Sequence, residues 1–378
     1  MTLRARICAE IARCGPIPFS RYMELCLYEP ELGYYSRARE PFGKAGDFYT
    51  ASDVGAAIGR LLARQFDEIW RALDSPAALD LIELGPGRGL CAADVLDFSR
   101  RQFPAFHTAL RYTLVESSPA LRERLRERFA AHLGPAGPGP RVSLCASLDK
   151  LPAPCGCGIV FANEFFDALP IEIVTTEGQL HIAVEGDRFV ERFLPPAPAV
   201  LEFLDRYGVR PAAGERVEAP LAALEYVRRA AALVQRGCLV FIDYGYTREE
   251  LLAGRPKSTL RAFRRHTLSD HPYEVPGDQD LTAHVNFSAL RAAAAGAGFD
   301  RAALLTQAQF LMGIGERNQF ADAFADAATP QERARVALQL KNLATPAGMG
   351  ELFQVLVACR GVPADAVARL SGLAFARF

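Results

Sequence analysis

Apolar residues recur with the period of a helix in some stretches of the chain and fill short runs in others. Residues 56–73 have the helical period, and their apolar face carries Ile58, Leu61, Leu62, Ile69 and Leu73. Strands are predicted at 79–84, 111–116, 141–145, 158–163 and 238–246, with helices between them. Because strands alternate with helices, we expect an α/β fold with a mainly parallel, doubly wound sheet.

Two regions depart from this alternation. Residues 171–194 alternate with period two and have turn signals at Glu177-Gly178 and Glu185-Gly186-Asp187, which predicts an antiparallel β meander inserted between the fourth and fifth parallel strands. Residues 317–378 are predicted to be mainly helical. These patterns divide the chain into four segments: an N-terminal helical segment (1–55), an α/β core in two parts (56–170 and 221–310), an inserted β-rich lobe (171–220) and a C-terminal helical segment (311–378).

Composition and charge narrow the class of protein. Half of the 378 residues are apolar, and 43 Lys and Arg nearly balance 44 Asp and Glu, with no basic block that stands out. We therefore expect no nucleic-acid partner. No apolar stretch is long enough to span a bilayer, so no membrane insertion is expected. The nine cysteines lack paired C-x-x-C spacing, which predicts reduced thiols, a cytoplasmic location and no bound metal.

A glycine-rich turn follows the first predicted strand. Residues 79–89 read LDLIELGPGRG, so Gly85, Gly87 and Gly89 stand at alternate positions after an apolar run. Glycine lets a ligand lie against the backbone at a strand's carboxyl end. The third glycine comes one residue too early for a dinucleotide motif, and the lysine of a phosphate-binding loop is missing. Because Glu83 adds a negative charge that suits a cation, the pattern favours S-adenosyl-L-methionine over a dinucleotide or a tight turn without ligand.

Polar side chains follow the other strands as well. Glu116 ends the second strand, where an acid can accept hydrogen bonds from ribose hydroxyls; the alternative is a solvated acid at a helix start. Ser147 and Leu148, after the third strand, could flank an adenine. The fourth strand exits into NEFFDALP (163–170), where carboxylates could hold a guanidinium and rings could stack on it. The alternative is that both rings belong to the core and the acids are solvated.

Several long motifs are shared with one known family, and they stand at 18–36, 46–54, 82–89, 163–170, 243–246, 258–266, 280–290 and 349–356. Through them the chain resembles the MidA-like class I S-adenosylmethionine-dependent methyltransferases, which include the mitochondrial assembly factor for respiratory complex I. The resemblance covers nearly the whole chain. It implies a Rossmann-like methyltransferase core, S-adenosyl-L-methionine as cofactor and a protein substrate. In the mitochondrial member that substrate is an arginine of a complex I subunit, which becomes symmetrically dimethylated.

The resemblance also implies roles for individual residues. Those that match the family's cofactor site are Gly46, Asp47, Phe48 and Thr50 of a loop that closes over the cofactor, followed by Gly85, Gly87, Gly89, Glu116 and Asn163. Asn163 and Glu164 match the signature beside the methyl group. Together with Asp167, they are the candidate catalytic residues that would hold the substrate guanidinium. Asp243, Tyr244 and Gly245 match the exit of the fifth strand.

The chain departs from the family's pattern at Ala51-Ser52-Asp53, Arg60, Ser258 and Phe263. These changes spare the predicted cofactor site but leave the protein substrate open. A small-molecule methyltransferase and a non-catalytic assembly factor that binds the cofactor are the alternative functions. The sequence is also compatible with a homodimer.

Overall fold

The computed structural model describes residues 1–37, 55–133, 141–151, 154–254, 258–264, 267–269, 271–345 and 348–376. Its strands are, in chain order, β1 (Ile17–Pro18), β2 (Leu79–Leu84), β3 (Leu110–Val115), β4 (Arg141–Cys145), β5 (Cys155–Asn163), β6 (Glu172–Thr175), β7 (Gly178–Glu185), β8 (Arg188–Leu194), β9 (Val217–Ala219), β10 (Val234–Tyr246), β11 (Arg261–Arg264), β12 (Thr267–Ser269), β13 (Asp280–Thr282), β14 (Val285–Asn286), β15 (Arg301–Thr306) and β16 (Phe353–Arg360).

The helices are, in chain order, α1 (Leu3–Cys14), α2 (Phe19–Tyr28), α3 (Ala57–Ala72), α4 (Leu90–Gln102), α5 (Pro104–Ala109), α6 (Pro119–Arg128), α7 (Pro198–Arg206), α8 (Leu221–Ala232), α9 (Arg248–Ala253), α10 (Phe287–Gly296), α11 (Gln307–Glu316), α12 (Pro330–Ala344) and α13 (Ala364–Ala368). No helix within the described ranges combines the length and the apolar character needed to cross a membrane.

The chain forms two compact units. The first comprises Met1–Tyr49, Phe166–Tyr226 and Tyr246–Leu290; the second comprises Thr50–Phe165, Val227–Gly245 and Arg291–Phe378. Residues 246–290 therefore group with the N-terminal segment and the inserted lobe, although the sequence pattern assigns them to the core. The division into four functional segments stays a prediction.

The second unit contains a sheet with the strand order β4-β3-β2-β5-β10-β16-β15. Strands β2 to β5 and β10 run parallel, whereas β16 is antiparallel to both β10 and β15. The predicted α/β fold with a mainly parallel sheet is confirmed. The prediction of a mainly helical region at 317–378 is wrong in part, because β16 forms an inner strand of the sheet.

Helix α3 packs through the apolar face that its sequence predicts. Ile58, Leu61, Leu62, Ile69 and Leu73 are each at most 1% exposed. The ring of Phe66, on the same helix, meets Phe161 of β5 edge-on at 5.4 Å between centroids. Burial of one such side chain stabilises the fold by about 1.5–3 kcal/mol, so this face anchors the helix to the sheet.

The inner strands of the second unit also contain a disulfide. Cys238 of β10 and Cys359 of β16 are directly opposite in the antiparallel register, and their Cα atoms are 4.2 Å apart. The prediction that the thiols are reduced is therefore wrong for this pair. Sequence spacing did not reveal it because 121 positions separate the two cysteines.

The first unit contains the predicted meander. Strands β6, β7 and β8 are antiparallel, and β1 and β9 complete their sheet in the order β1-β7-β6-β9, with β8 beside β7. A smaller sheet has the order β12-β11-β13. The core of this unit includes Ile7 of α1, Phe19 and Tyr22 of α2, and Ile173 and Ile182 of the meander, which are all fully buried.

Candidate active site

The parallel strands of the second unit end in register. Leu84, the last residue of β2, is paired with Val115 on β3 and with Ala162 on β5. The residues that follow these three positions therefore emerge side by side. The order of the parallel strands reverses around β2, and open α/β sheets bind ligands at such a switch point.

The glycine loop after β2 has a backbone that favours glycine. Gly85, Gly87 and Gly89 have φ angles of 63°, 52° and 70°, a region that costs other residues about 1–2 kcal/mol. A Cβ on Gly85 would lie 2.8 Å from the Phe165 ring, and one on Gly89 would lie 2.6 Å from Leu125. The loop is thus held against its neighbours without side chains of its own at these positions.

Glu116 follows β3 and is only 6% exposed. Its Oε1 accepts a hydrogen bond of 2.8 Å from the backbone N–H of Ser118. Burial raises the pKa of the Glu116 carboxyl to about 7, although the backbone N–H groups of Ser118 and Gly87 oppose this change. A buried carboxyl beside the glycine loop has capacity for further donors, such as the two hydroxyls of a ribose.

Glu83, within β2, is only 4% exposed. The hydroxyl of Tyr112 donates to its Oε2 at 2.6 Å. Burial raises the pKa of Glu83 to about 7, against the effect of the Tyr112 bond. Its carboxyl therefore carries less negative charge at neutral pH than the sequence pattern suggests.

The exit of β5 brings together two of the candidate catalytic residues. The Asn163 amide donates to Oε1 of Glu164 at 3.2 Å. Glu164 has a φ of 51°, in the left-handed region, and its backbone N–H donates to the carbonyl of Ile242 at 2.9 Å. The side-chain oxygen of Asn163 is buried and has no hydrogen-bond partner in the part of the chain that the structure describes. A buried acceptor of this kind suits a ligand that brings its own donors.

Asp243, near the end of β10, fixes this exit. It is fully buried, and its Oδ2 accepts a 3.1 Å bond from the backbone N–H of Phe165. Its Oδ1 accepts a 2.9 Å bond from the N–H of Tyr244. The carboxyl therefore holds the backbone immediately after the left-handed Glu164. The sequence pattern places Asp243 at a strand exit but does not indicate this contact.

The remaining predicted site residues are distributed as follows. Ser147 precedes a short 3₁₀ helix at Leu148–Lys150, and Leu148 is only 4% exposed. Asp167 belongs to the first unit, where it is 7% exposed and its carbonyl accepts a bond from Ala283. The predicted cofactor loop residues Gly46, Asp47, Phe48 and Thr50 lie outside the described residues.

The groups at these strand exits fit S-adenosyl-L-methionine. Glu116 and the oxygen of Asn163 are acceptors, which match the ribose hydroxyls and the ammonium group of this ligand. The donors of such a ligand would also give the buried Asn163 oxygen a partner. The described residues contain no cluster of three or more His, Cys, Asp or Glu that could hold a metal ion.

Numbered from β2 as the first strand, the sheet has the order 3-2-1-4-5-7-6 with an antiparallel seventh strand. This order, with the glycine loop and the acid after the second strand, defines a class I S-adenosylmethionine-dependent methyltransferase. A family model described as "Putative S-adenosyl-L-methionine-dependent methyltransferase" matches residues 61–304. The chain belongs to this family, among its MidA-like members.

Curated relatives and a solved structure agree with this assignment. The mitochondrial protein arginine methyltransferase NDUFAF7 of Danio rerio is 31% identical, over 92% of this chain and 84% of that protein. The Homo sapiens protein of the same name is 30% identical, over 91% and 80%. A protein from Burkholderia thailandensis whose structure was solved with bound S-adenosyl-homocysteine is 33% identical to this chain, with a TM-score of 0.80. The match covers 97% of this chain and 94% of that protein. S-adenosyl-L-methionine is therefore the cofactor of this enzyme.

Proposed function

We propose that this enzyme methylates an arginine side chain of a protein. The observation that carries the proposal is the exit of β5, where Glu164 has a left-handed conformation. It directly precedes Phe165, whose ring packs against Gly85 of the glycine loop. A carboxylate at this position suits a guanidinium, which it can bind through two parallel hydrogen bonds. The names of the curated relatives support the same acceptor.

When bound, S-adenosyl-L-methionine would supply a methyl group on a sulfonium: the acceptor nitrogen would bond to the methyl carbon in line as the bond from sulfur to methyl breaks and S-adenosyl-homocysteine leaves. The protein's own contribution is to orient the acceptor, and correct alignment of the reacting groups lowers the barrier by roughly 7–11 kcal/mol. Arginine is protonated at neutral pH, with a pKa above about 12. Glu164 would therefore hold the guanidinium, concentrate its positive charge on the nitrogens that it binds, and accept the proton that the methylated nitrogen loses. Asp167 is proposed to assist it.

The sequence-based hypothesis is more specific than this, and we include its finer parts in the proposal. They are a respiratory complex I subunit as the protein acceptor, a role in complex I assembly, a cytoplasmic location and a homodimer. The family resemblance of the motifs supports the complex I subunit and the assembly role, and the curated relatives named above are mitochondrial proteins. The cytoplasmic location is inferred from the scattered cysteines, and the homodimer is an expectation from the sequence.

The test compares the wild type with Glu164→Gln in two assays. Calorimetry measures the affinity for S-adenosyl-homocysteine, and incubation with radiolabelled methyl donor and a lysate of the host measures transfer. We expect Glu164→Gln to bind the product normally but to lose transfer by at least about 100-fold, because an amide can neither hold both guanidinium N–H groups nor take up a proton.

Glu123→Gln is the matched control, since Glu123 is an exposed acid of α6 that pairs with Arg126. Hydrolysis of a labelled band to methylarginines would support the proposed acceptor. Label in a metabolite and in no protein would overturn it in favour of a small-molecule methyltransferase. Transfer at the wild-type level by Glu164→Gln would remove this residue from the mechanism.

A further inference from the structure

The first unit contains a large open groove that the proposed chemistry does not use. Its volume is about 1100 Å³. It is lined by residues of β8, by residues of and beside β11 and β12, and by Arg4 and Arg216. This volume exceeds the roughly 300–1,000 Å³ that small-molecule sites usually have. A larger ligand, such as a segment of polypeptide, is therefore the better match in size.

One ion pair in the groove is already complete. The guanidinium of Arg216 donates to both oxygens of Glu191, at 2.8 and 2.7 Å. The Tyr273 hydroxyl donates to the same carboxylate at 2.7 Å. Burial opposes ionisation of Glu191, but the bonds from Arg216 and Tyr273 outweigh it and lower the pKa of the carboxyl. The charges of Arg216 and Glu191 therefore cancel, and this network adds no net charge to the groove.

Three further arginines line the groove. Arg4 donates to the backbone carbonyls of Asp187 and Glu274, and Arg261 donates to the carbonyls of Ser258 and Leu260 at 3.1 and 2.9 Å. Carbonyl oxygens orient a guanidinium without cancelling its charge.

The charge of the groove is positive overall. Arg188 is exposed at the start of β8, and with Arg4 and Arg261 it makes three positive charges against one further lining acid, Glu274.

The phenyl and phenol rings in the groove, those of Phe189 and Tyr273, are occupied by protein contacts, and the His271 imidazole is the third aromatic ring that lines it. Arg4 covers Phe189 at 4.8 Å from the ring centre, and Tyr22 packs edge-on against both Phe189 and Tyr273 at 5.6 Å. Single-stranded nucleic acids bind mainly by stacking bases on free aromatic faces. The other apolar lining residues are aliphatic and suit amino-acid side chains; they are Leu260, Ala262, Leu268 and Pro272.

We propose that this groove binds an acidic segment of a protein, and that it thereby selects the macromolecule that the enzyme methylates. The second part rests on the proposed function, whereas the first part does not. Fixed guanidiniums would pair with the carboxylates of the segment, and the aliphatic residues would contact its apolar side chains.

The probe is a fluorescein-labelled decapeptide of alternating glutamate and leucine, with a lysine–leucine peptide as its counterpart. Fluorescence anisotropy measures binding to the full chain without methyl donor. We expect the acidic peptide to bind and the basic one not to bind. Arg188→Glu and Arg261→Glu should each weaken binding at least about tenfold, because charge reversal replaces an attraction by a repulsion.

Arg206→Glu is the control, since Arg206 is an exposed arginine of α7 in the same unit but does not line the groove. It should bind the acidic peptide as the wild type does. Thermal melting checks that each variant folds. Arg188→Glu is the variant least able to disturb packing, because Arg188 is exposed. Equal binding of the acidic peptide by wild type, Arg188→Glu and Arg261→Glu would overturn the proposal.

A ten-nucleotide RNA is the competitor. If it binds more tightly than the acidic peptide and depends on the same arginines, the groove is a nucleic-acid site and the proposal is overturned. Because methyl transfer is absent from this assay, peptide binding can succeed while transfer to arginine fails. In the separate transfer assay, methyl transfer by Arg188→Glu at the wild-type level would disprove substrate selection by the groove. It would leave the proposed reaction intact.

Discussion

Asp243→Asn tests whether the exit of β5 must be held in place for methyl transfer. The wild-type carboxylate is fully buried and accepts two backbone bonds, one from Phe165 and one from Tyr244. Asparagine has nearly the same shape but a single acceptor oxygen. One of the two backbone N–H groups would therefore face an amide NH₂ group, which is a donor.

The size of the effect follows from these contacts. Hydrogen bonds to a charged group contribute about 1.5–3 kcal/mol, and loss of the acceptor leaves a buried donor unpaired. The left-handed backbone of Glu164 costs about 1–3 kcal/mol and persists only while its surroundings hold it. If the lost energy is expressed in the transition state, transfer falls about 10- to 100-fold, since each 1.36 kcal/mol is a factor of ten.

The assay measures transfer of label into host protein beside calorimetric affinity for S-adenosyl-homocysteine. We expect transfer to fall much more than affinity, because the change acts first on the backbone next to Glu164. Asp80→Asn is the control. Asp80 lies on β2 of the same unit, and its bond to Arg111 is a surface ion pair with the two side chains 21% and 53% exposed, worth about 0–1 kcal/mol.

Thermal melting separates positioning from folding in this experiment. Asp243→Asn should remain folded at the assay temperature, and its remaining transfer should be measured per folded molecule. A loss of transfer no larger than the loss of affinity, or no larger than the loss of folded protein, would refute a positioning role for Asp243 and leave it a structural residue.

Two further predictions concern the cofactor site. Because burial raises the pKa of Glu116 to about 7, its carboxyl is mostly protonated at pH 6 and mostly ionised at pH 8. Affinity for S-adenosyl-homocysteine should rise up to about tenfold over this range through Glu116. In calorimetry Glu116→Gln should show a weaker dependence than the wild type, and the part that remains is that of Glu83, whose pKa is also raised to about 7. Gly85→Ala should lower the free energy of unfolding by about 2–4 kcal/mol, from a left-handed alanine and its overlap with the Phe165 ring at 2.8 Å. Gly186→Ala is its control in thermal unfolding, since Gly186 has a similar φ of 60° and nothing within 4 Å of its added Cβ; equal losses in both variants would contradict the overlap.

Local sequence was sufficient for elements whose signals are local. The strands predicted at 79–84 and 141–145 have these same limits in the structure, because each is a short run bounded by turn or loop residues. Ser118 caps helix α6 by accepting a bond from the backbone N–H of Leu121, and Pro119 occupies the first turn, both of which are local signals for a helix start. In such cases the residues that determine the structure are neighbours in the chain.

Elements that depend on distant partners could not be predicted in this way. Strand β16 has a short apolar run within a helical region, and its pairing with β10 and β15 determines its conformation. The role of Asp243 is of the same kind. Its contact with Phe165 exists because Ile242 of β10 is in register with Asn163 of β5. A motif at a strand exit predicts the edge of the sheet at which a residue lies. It does not predict which atoms that residue will hydrogen-bond.

Two of the departures from the family pattern, Arg60 and Ser258, have different physical consequences. Arg60 donates to the carbonyl of Ala323 at 2.9 Å and to Asp326 at 2.7 Å, so the second unit uses it in packing, and its charge is already paired. Ser258 instead lines the groove of the first unit, where its hydroxyl donates to Glu218 at 2.7 Å. A glycine at 258 would leave out this bond and change the wall of the groove. Of these two changes, Ser258 is therefore the one expected to alter which protein the enzyme binds, while the strand exits that are predicted to hold the cofactor remain the same.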